Sequence, residues 1–102
     1  MRSERYTRYD DNRSSGFYPG YSCKRYATDN TNIVRFDRFA QDVAAGTLPH
    51  FVAVEPSMHH HPPNDDHPPA DMHRGQIFLK QVYDTLRSNP AVWQRTLLVI
   101  TY

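Results

Sequence analysis

From Glu55 to Pro69 the chain reads Glu-Pro-Ser-Met-His-His-His-Pro-Pro-Asn-Asp-Asp-His-Pro-Pro, a run that crowds imidazoles and carboxylates together. Such side chains hold zinc, nickel or a pair of metal ions. The spacing argues against a single shared ion. His59, His60 and His61 are consecutive, and neighbours in extended chain point in opposite directions. An exposed tract with incidental metal affinity is the plainer reading. His67 and His73 do not match a recognised ligand spacing, and His50 stands alone as a surface or packing residue. His67 is the best candidate for a rigidly aimed imidazole, because it lies between Asp66 and the stiff ring of Pro68. A neighbouring carboxylate can fix the tautomer of such a ring; a purely structural hydrogen bond is the competing reading.

Something must hold that loop. Phe51-Val52-Ala53-Val54, bounded by Pro49 and Pro56, has the pattern of a short buried strand. The prolines at 56, 62, 63, 68 and 69 make the connection after it stiff. Residues 70–88 read as a helix with Gly75, Leu79, Val82, Tyr83 and Leu86 along its apolar stripe, Asp71 in its first turn and Arg87 in its last. Ser88-Asn89-Pro90 stops it, and Trp93 is expected to anchor the turn after that. Residues 96–101, Thr-Leu-Leu-Val-Ile-Thr, then have the composition of a strand covered on both faces. Strand, loop, helix, strand predicts one βαβ unit with parallel strands and a right-handed crossover. Upstream, residues 33–45 read as a helix with Phe36, Phe39, Ala40 and Val43 on one face and Gly46 as its stop. In a parallel sheet, ligands bind beyond the carboxyl ends of the strands. The histidine-bearing loop and the chain end at Tyr102 are therefore expected at one rim.

Bulk properties narrow the classes. The chain has 102 residues and a formal charge of +1, from 12 basic and 11 acidic side chains, so no strong attraction to nucleic acid or anionic membrane is expected. Arg2, Arg5, Arg8 and Arg13 interleave with Tyr6 and Tyr9, a pattern that suits single-stranded nucleic acid, but Glu4, Asp10 and Asp11 offset much of that charge. Residues 1–30 read as a polar, irregular or disordered segment, and residues 31–102 as the folding part. The single cysteine, Cys23, can form no internal disulfide and reads as an ordinary small residue. No apolar run reaches the ~18 residues of a membrane span, and the first residues lack the apolar stretch of a signal peptide.

Several segments recur in a known order. Gly46-Thr47-Leu48-Pro49 is followed by Phe51-Val52-Ala53-Val54-Glu55-Pro56, then Asn64-Asp65-Asp66-His67-Pro68, then Gly75 through Leu86-Arg87-Ser88-Asn89-Pro90, then Trp93 and Thr96 to Tyr102. This succession resembles the phosphoesterase family, which includes phospholipase C enzymes and acid phosphatases, over residues 33–102. The resemblance implies a partial alkaline-phosphatase-like α/β fold, one βαβ unit plus an upstream helix, and metal-assisted hydrolysis of phosphate esters. It implies that His67 contacts the phosphate or leaving group, that Asn64, Asp65 and Asp66 shape the substrate loop, and that Glu55 is a hinge at the strand's end. In the family the closing strand runs into Asp-Glu-His-Gly-Gly, whose acids hold the catalytic metal, and a Ser or Thr nucleophile lies far upstream. Neither is in this sequence. The chain is therefore expected to be a C-terminally truncated fragment, inactive alone, with no metal ligands of its own. The divalent metal and the phospholipid or phosphate-ester substrate would belong to the full-length parent. Family members are often secreted or periplasmic; the resemblance gives this chain no location or oligomeric state. The rival expectation is a small histidine-rich metal-binding module without catalysis, built on His59, His60, His61, His67 and His73.

Overall fold

The computed structural model describes residues 6–10, 33–57 and 62–101. Strands β1 (Tyr6–Asp10), β2 (Ile33–Arg35) and β3 (Phe51–Glu55) form one parallel sheet in the order β2-β1-β3. Helix α1 (Asp37–Ala45) comes after β2, helix α2 (Met72–Arg87) comes after the loop that leaves β3, and the short helix α3 (Pro90–Trp93) ends the regular structure. The architecture is mixed α/β with parallel strands.

Two expectations are corrected by the sheet. The partner of β3 is not the 96–101 run but Tyr6–Asp10, with Tyr6 opposite Phe51 and Asp10 opposite Glu55. That places a sheet-centre strand inside the segment read as irregular. Its sequence, Tyr-Thr-Arg-Tyr-Asp, has no hydrophobic run to announce it, although Tyr and Thr favour extended backbone. Residues 96–101 pair with no strand among the described residues. Leu97 and Val99 are 87% and 68% exposed, while Leu98 packs against the core. A strand exists only in a ladder, and apolar composition alone does not supply the neighbour. The βαβ unit with 96–101 as its second strand is therefore absent among the described residues.

Helix α1 starts later than the 33–45 pattern suggests, because Ile33–Arg35 is taken up beside β1. Phe39 and Val43 of its apolar face are buried, with Phe36 just before the helix, whereas Ala40 is exposed. Gly46 ends it as expected. At φ 69 it occupies the left-handed region, and its N–H donates to the carbonyls of Asp42 and Val43. Helix α2 is shorter than 70–88, and Asp71 is its N-cap rather than a first-turn residue: the carboxylate accepts from His73 N at 2.9 Å. Its buried face is Gly75, Phe78, Val82 and Leu86, so Phe78 is buried where the predicted stripe had Leu79, which is half-buried, and Tyr83, which is exposed. Tyr83 lies at the surface, edge-on to Trp93 with ring centres 5.5 Å apart. The Arg87 guanidinium lies over both rings.

The core lies between the helices and the sheet. Phe36, Phe39, Val43, Phe78, Val82, Leu86 and Val92 form it, and Val52 and Val54, two apart and so on one face of β3, close it from the sheet side. Phe36 meets Phe78 at 4.9 Å between ring centres. Asn89 Nδ2 donates to Val43 O at 2.8 Å, tying the end of α1 to the α2–α3 junction. Among the described residues no helix is long and apolar enough to cross a membrane.

Candidate functional site: the β3–α2 loop

β3 ends at Glu55, in register with Asp10 of β1, which is in turn in register with Arg35 of β2. The three strands thus share a carboxyl edge, and the loop to α2 departs from it, as the parallel arrangement requires. The expectation that the chain's last residues reach the same edge rested on a strand at 96–101, and no such strand forms among the described residues.

Asn64 closes the loop at its base. Its Oδ1 accepts from Ser57 N at 2.5 Å, and its own N–H donates to Ser57 O at 3.0 Å. Two bonds between one pair of residues bring positions 57 and 64 together. Ser57 is 3% exposed, so these backbone groups have little water to fall back on. Sequence reading passed over Ser57. The available signal was an Asn placed to bond backbone across a proline-rich loop.

Asp66 turns the chain. Its φ is 60°, in the left-handed region that Asp tolerates better than most residues. Its carboxylate is pressed onto helix α2, where a Cβ on Gly75 would fall within 2.7 Å of Oδ1, Cγ and Oδ2. Oδ1 is buried and has no hydrogen-bond partner among the described residues. Gly75 is therefore more than a member of an apolar stripe: its missing side chain is the space the carboxylate fills.

His67 lies next, on the outside of this turn. Its N–H donates to Asp65 Oδ1 at 3.3 Å, and its carbonyl accepts from Ala70 N at 2.7 Å. The ring Nδ1 lies 2.7 Å from Pro68 O. A carbonyl oxygen can only accept, so the pair puts a proton on Nδ1 and leaves Nε2 free of that bond. His67 is exposed. An open depression runs past it, bordered by Pro62, Pro63, Asp65, Asp71 and Arg74, with the Pro68-Pro69 cis peptide bond and Ala70 completing its wall. Arg74, which sequence reading did not single out, lines the same depression. The structure thus gathers Asp65 and His67 on the solvent side of the loop, and turns Asn64 and Asp66 inward as its fasteners.

His59, His60 and His61 lie outside the described residues. Among the described residues no three His, Cys, Asp or Glu side chains come together in a way that could hold a metal ion.

Comparison with known proteins decides the family. The sequence profile described as the phosphoesterase family matches residues 8–102. The chain belongs to the phosphoesterase family. The match begins within β1, well before the residues that carried the resemblance in sequence, which agrees with the place of that strand in the sheet. The chain is 45% identical to non-specific phospholipase C6 of Arabidopsis thaliana over 75 residues, 70% of this chain and 14% of that protein. It is 43% identical to non-specific phospholipase C5 of the same plant over 68 residues, 64% of this chain and 13% of that one. The non-hemolytic phospholipase C of Burkholderia pseudomallei is 35% identical over 89 residues, 82% of this chain and 12% of the bacterial protein. The chain thus spans between 12% and 14% of the length of these relatives.

Proposed function

We propose that this chain contributes the phosphate-facing loop of a metal-dependent phosphoesterase that hydrolyses phosphate ester bonds, of the phospholipase C or acid phosphatase type. The substrate of the full-length enzyme is a phospholipid or another phosphate ester. His67 is the contact to phosphate or leaving group. Asn64, Asp65 and Asp66 set the loop's shape. The observation that carries this reading is the outward, backbone-anchored imidazole of His67, on a loop leaving the carboxyl edge of a parallel sheet.

The chemistry open to these residues is limited and definite. With Nδ1 bonded to Pro68 O, neutral His67 offers the lone pair of Nε2, and protonated His67 offers an Nε2–H. The first form takes a proton from an attacking hydroxyl or water; the second donates to a phosphoryl oxygen or a leaving alkoxide. Arg74, which lines the same depression, is the side chain there that can pair with an anionic group, and the carboxylates of Asp65 and Asp71 oppose it. The metal that the family resemblance implies would polarise the phosphoryl oxygen. The 102-residue chain alone is accordingly proposed to be inactive.

Titration of the chain with phosphorylcholine, and separately with inorganic phosphate, tests the assignment through the imidazole resonances. Saturable movement of the His67 signals, with His50 and His73 unmoved and the response lost in His67→Ala, is the expected result. No movement at His67, or equal movement at all the histidines, contradicts it.

A further inference from the structure

We infer that the contact between the Asp66 carboxylate and the bare Cα of Gly75 is the device that positions His67. The inference rests on the proposed role of His67 and adds how its aim is set. Three observations converge on one point of the loop. Asp66 has a positive φ, a conformation unfavourable for a residue with a side chain, which persists only where its surroundings hold it. Its Oδ1 is buried with no hydrogen-bond partner among the described residues, a second local cost. Its carboxylate occupies the volume a side chain at position 75 would need. Two unfavourable features at the residue immediately before a candidate phosphate contact, both tolerated because the helix surface is open at one glycine, point to a positional requirement.

The transmission path is short. The left-handed turn at Asp66 sets the direction in which the chain leaves for His67. The His67 N–H is then fixed by Asp65 and its ring by Pro68 O. Helix α2 is capped at Asp71 and packed into the core through Phe78 and Val82, so Gly75 sits on a rigid reference surface. Asp66 and Gly75 touch no substrate in this scheme; they act through His67 and are positioning residues.

The test reads the His67 ring in the ligand-free 102-residue chain, by its imidazole nitrogen and carbon resonances, in wild type, Gly75→Ala and Asp66→Gly. Alanine raises helix propensity at position 75 while crowding the carboxylate. Gly75→Ala is expected to keep the helical circular dichroism and to lose the signature of a proton held on Nδ1. Asp66→Gly keeps a left-handed turn accessible but removes the carboxylate, and is expected to lose the same signature. It also serves if Gly75→Ala fails to fold. An unchanged His67 signature in a folded Gly75→Ala or in Asp66→Gly overturns the inference. Because no phosphate compound is present, this result is independent of whether phosphorylcholine moves the His67 resonances.

Discussion

Asn64 shows how one side chain replaces backbone pairing where a loop cannot form a ladder. Its amide and its backbone each bond Ser57, in a spot with little access to water. Removing the amide takes from the Ser57 N–H the bond it makes to Oδ1, a loss of about 1–3 kcal/mol for a buried group. Asn64→Ala should lower unfolding free energy by that amount in a urea titration, and a change below a few tenths would show the clamp to be ornamental. Asp71 acts at the same scale. As the N-cap of α2 it answers one of the helix's orphan donors, and Asp71→Ala should cost about 1 kcal/mol in the same titration. The residues of this loop were legible because their types are distinctive: a histidine wedged between an acid and a proline, and an Asn-Asp-Asp run before it. Their division of labour was not. Which carboxylate faces solvent and which is driven into a helix depends on the left-handed turn at Asp66 and the missing side chain at Gly75, and sequence spacing encodes neither.

Helices were easier to read than strands, for a physical reason visible in particular elements. α1 and α2 carry their own hydrogen bonds and announce themselves by period, by Gly46 at the end of one and by Ser88-Asn89-Pro90 at the end of the other. The error within α2 was one of rotation: Phe78 faces the core and Tyr83 the surface, since Tyr83 is drawn to Trp93 and Arg87 outside. Phe78→Ala should therefore cost about 3–5 kcal/mol, whereas Tyr83→Ala should cost well under half as much; equal losses would mean that the observed face is wrong. A strand depends on a partner elsewhere in the chain. The most strand-like run, residues 96–101, finds no ladder among the described residues, while polar Tyr6–Asp10 takes the centre of the sheet because β2 and β3 flank it. Family membership could be read from residue order alone; the sheet could not.

At the level of the whole chain, a small core supports three parallel strands whose outer members, β2 and β3, have a strand on one side only among the described residues. Parallel sheets are ordinarily covered and extended on both sides. With Phe51, Leu97 and Val99 largely in solvent, much apolar surface contributes nothing to folding. The 102-residue chain is expected to melt broadly, and below about 60 °C, inside or under the range of ordinary domains; a single sharp transition above that would show a self-sufficient fold. Activity obeys the same logic. Among the described residues no metal donor set forms, and the chain spans between 12% and 14% of the phospholipase C relatives. It should release no p-nitrophenol from p-nitrophenyl phosphate or its phosphorylcholine ester beyond a His67→Ala control.

The claim on which the rest depends is that the loop leaving β3 turns the free nitrogen of His67 toward an incoming phosphoryl group. A crystal structure of the chain grown with tungstate, a heavy stand-in for phosphate, addresses it directly through the anomalous signal of the metal atom. Tungstate is expected in the depression bordered by Asp65 and Arg74, with an oxygen within hydrogen-bonding reach of His67 Nε2. Tungstate bound only elsewhere, or a His67 ring released from Pro68 O and folded into the loop, would contradict it.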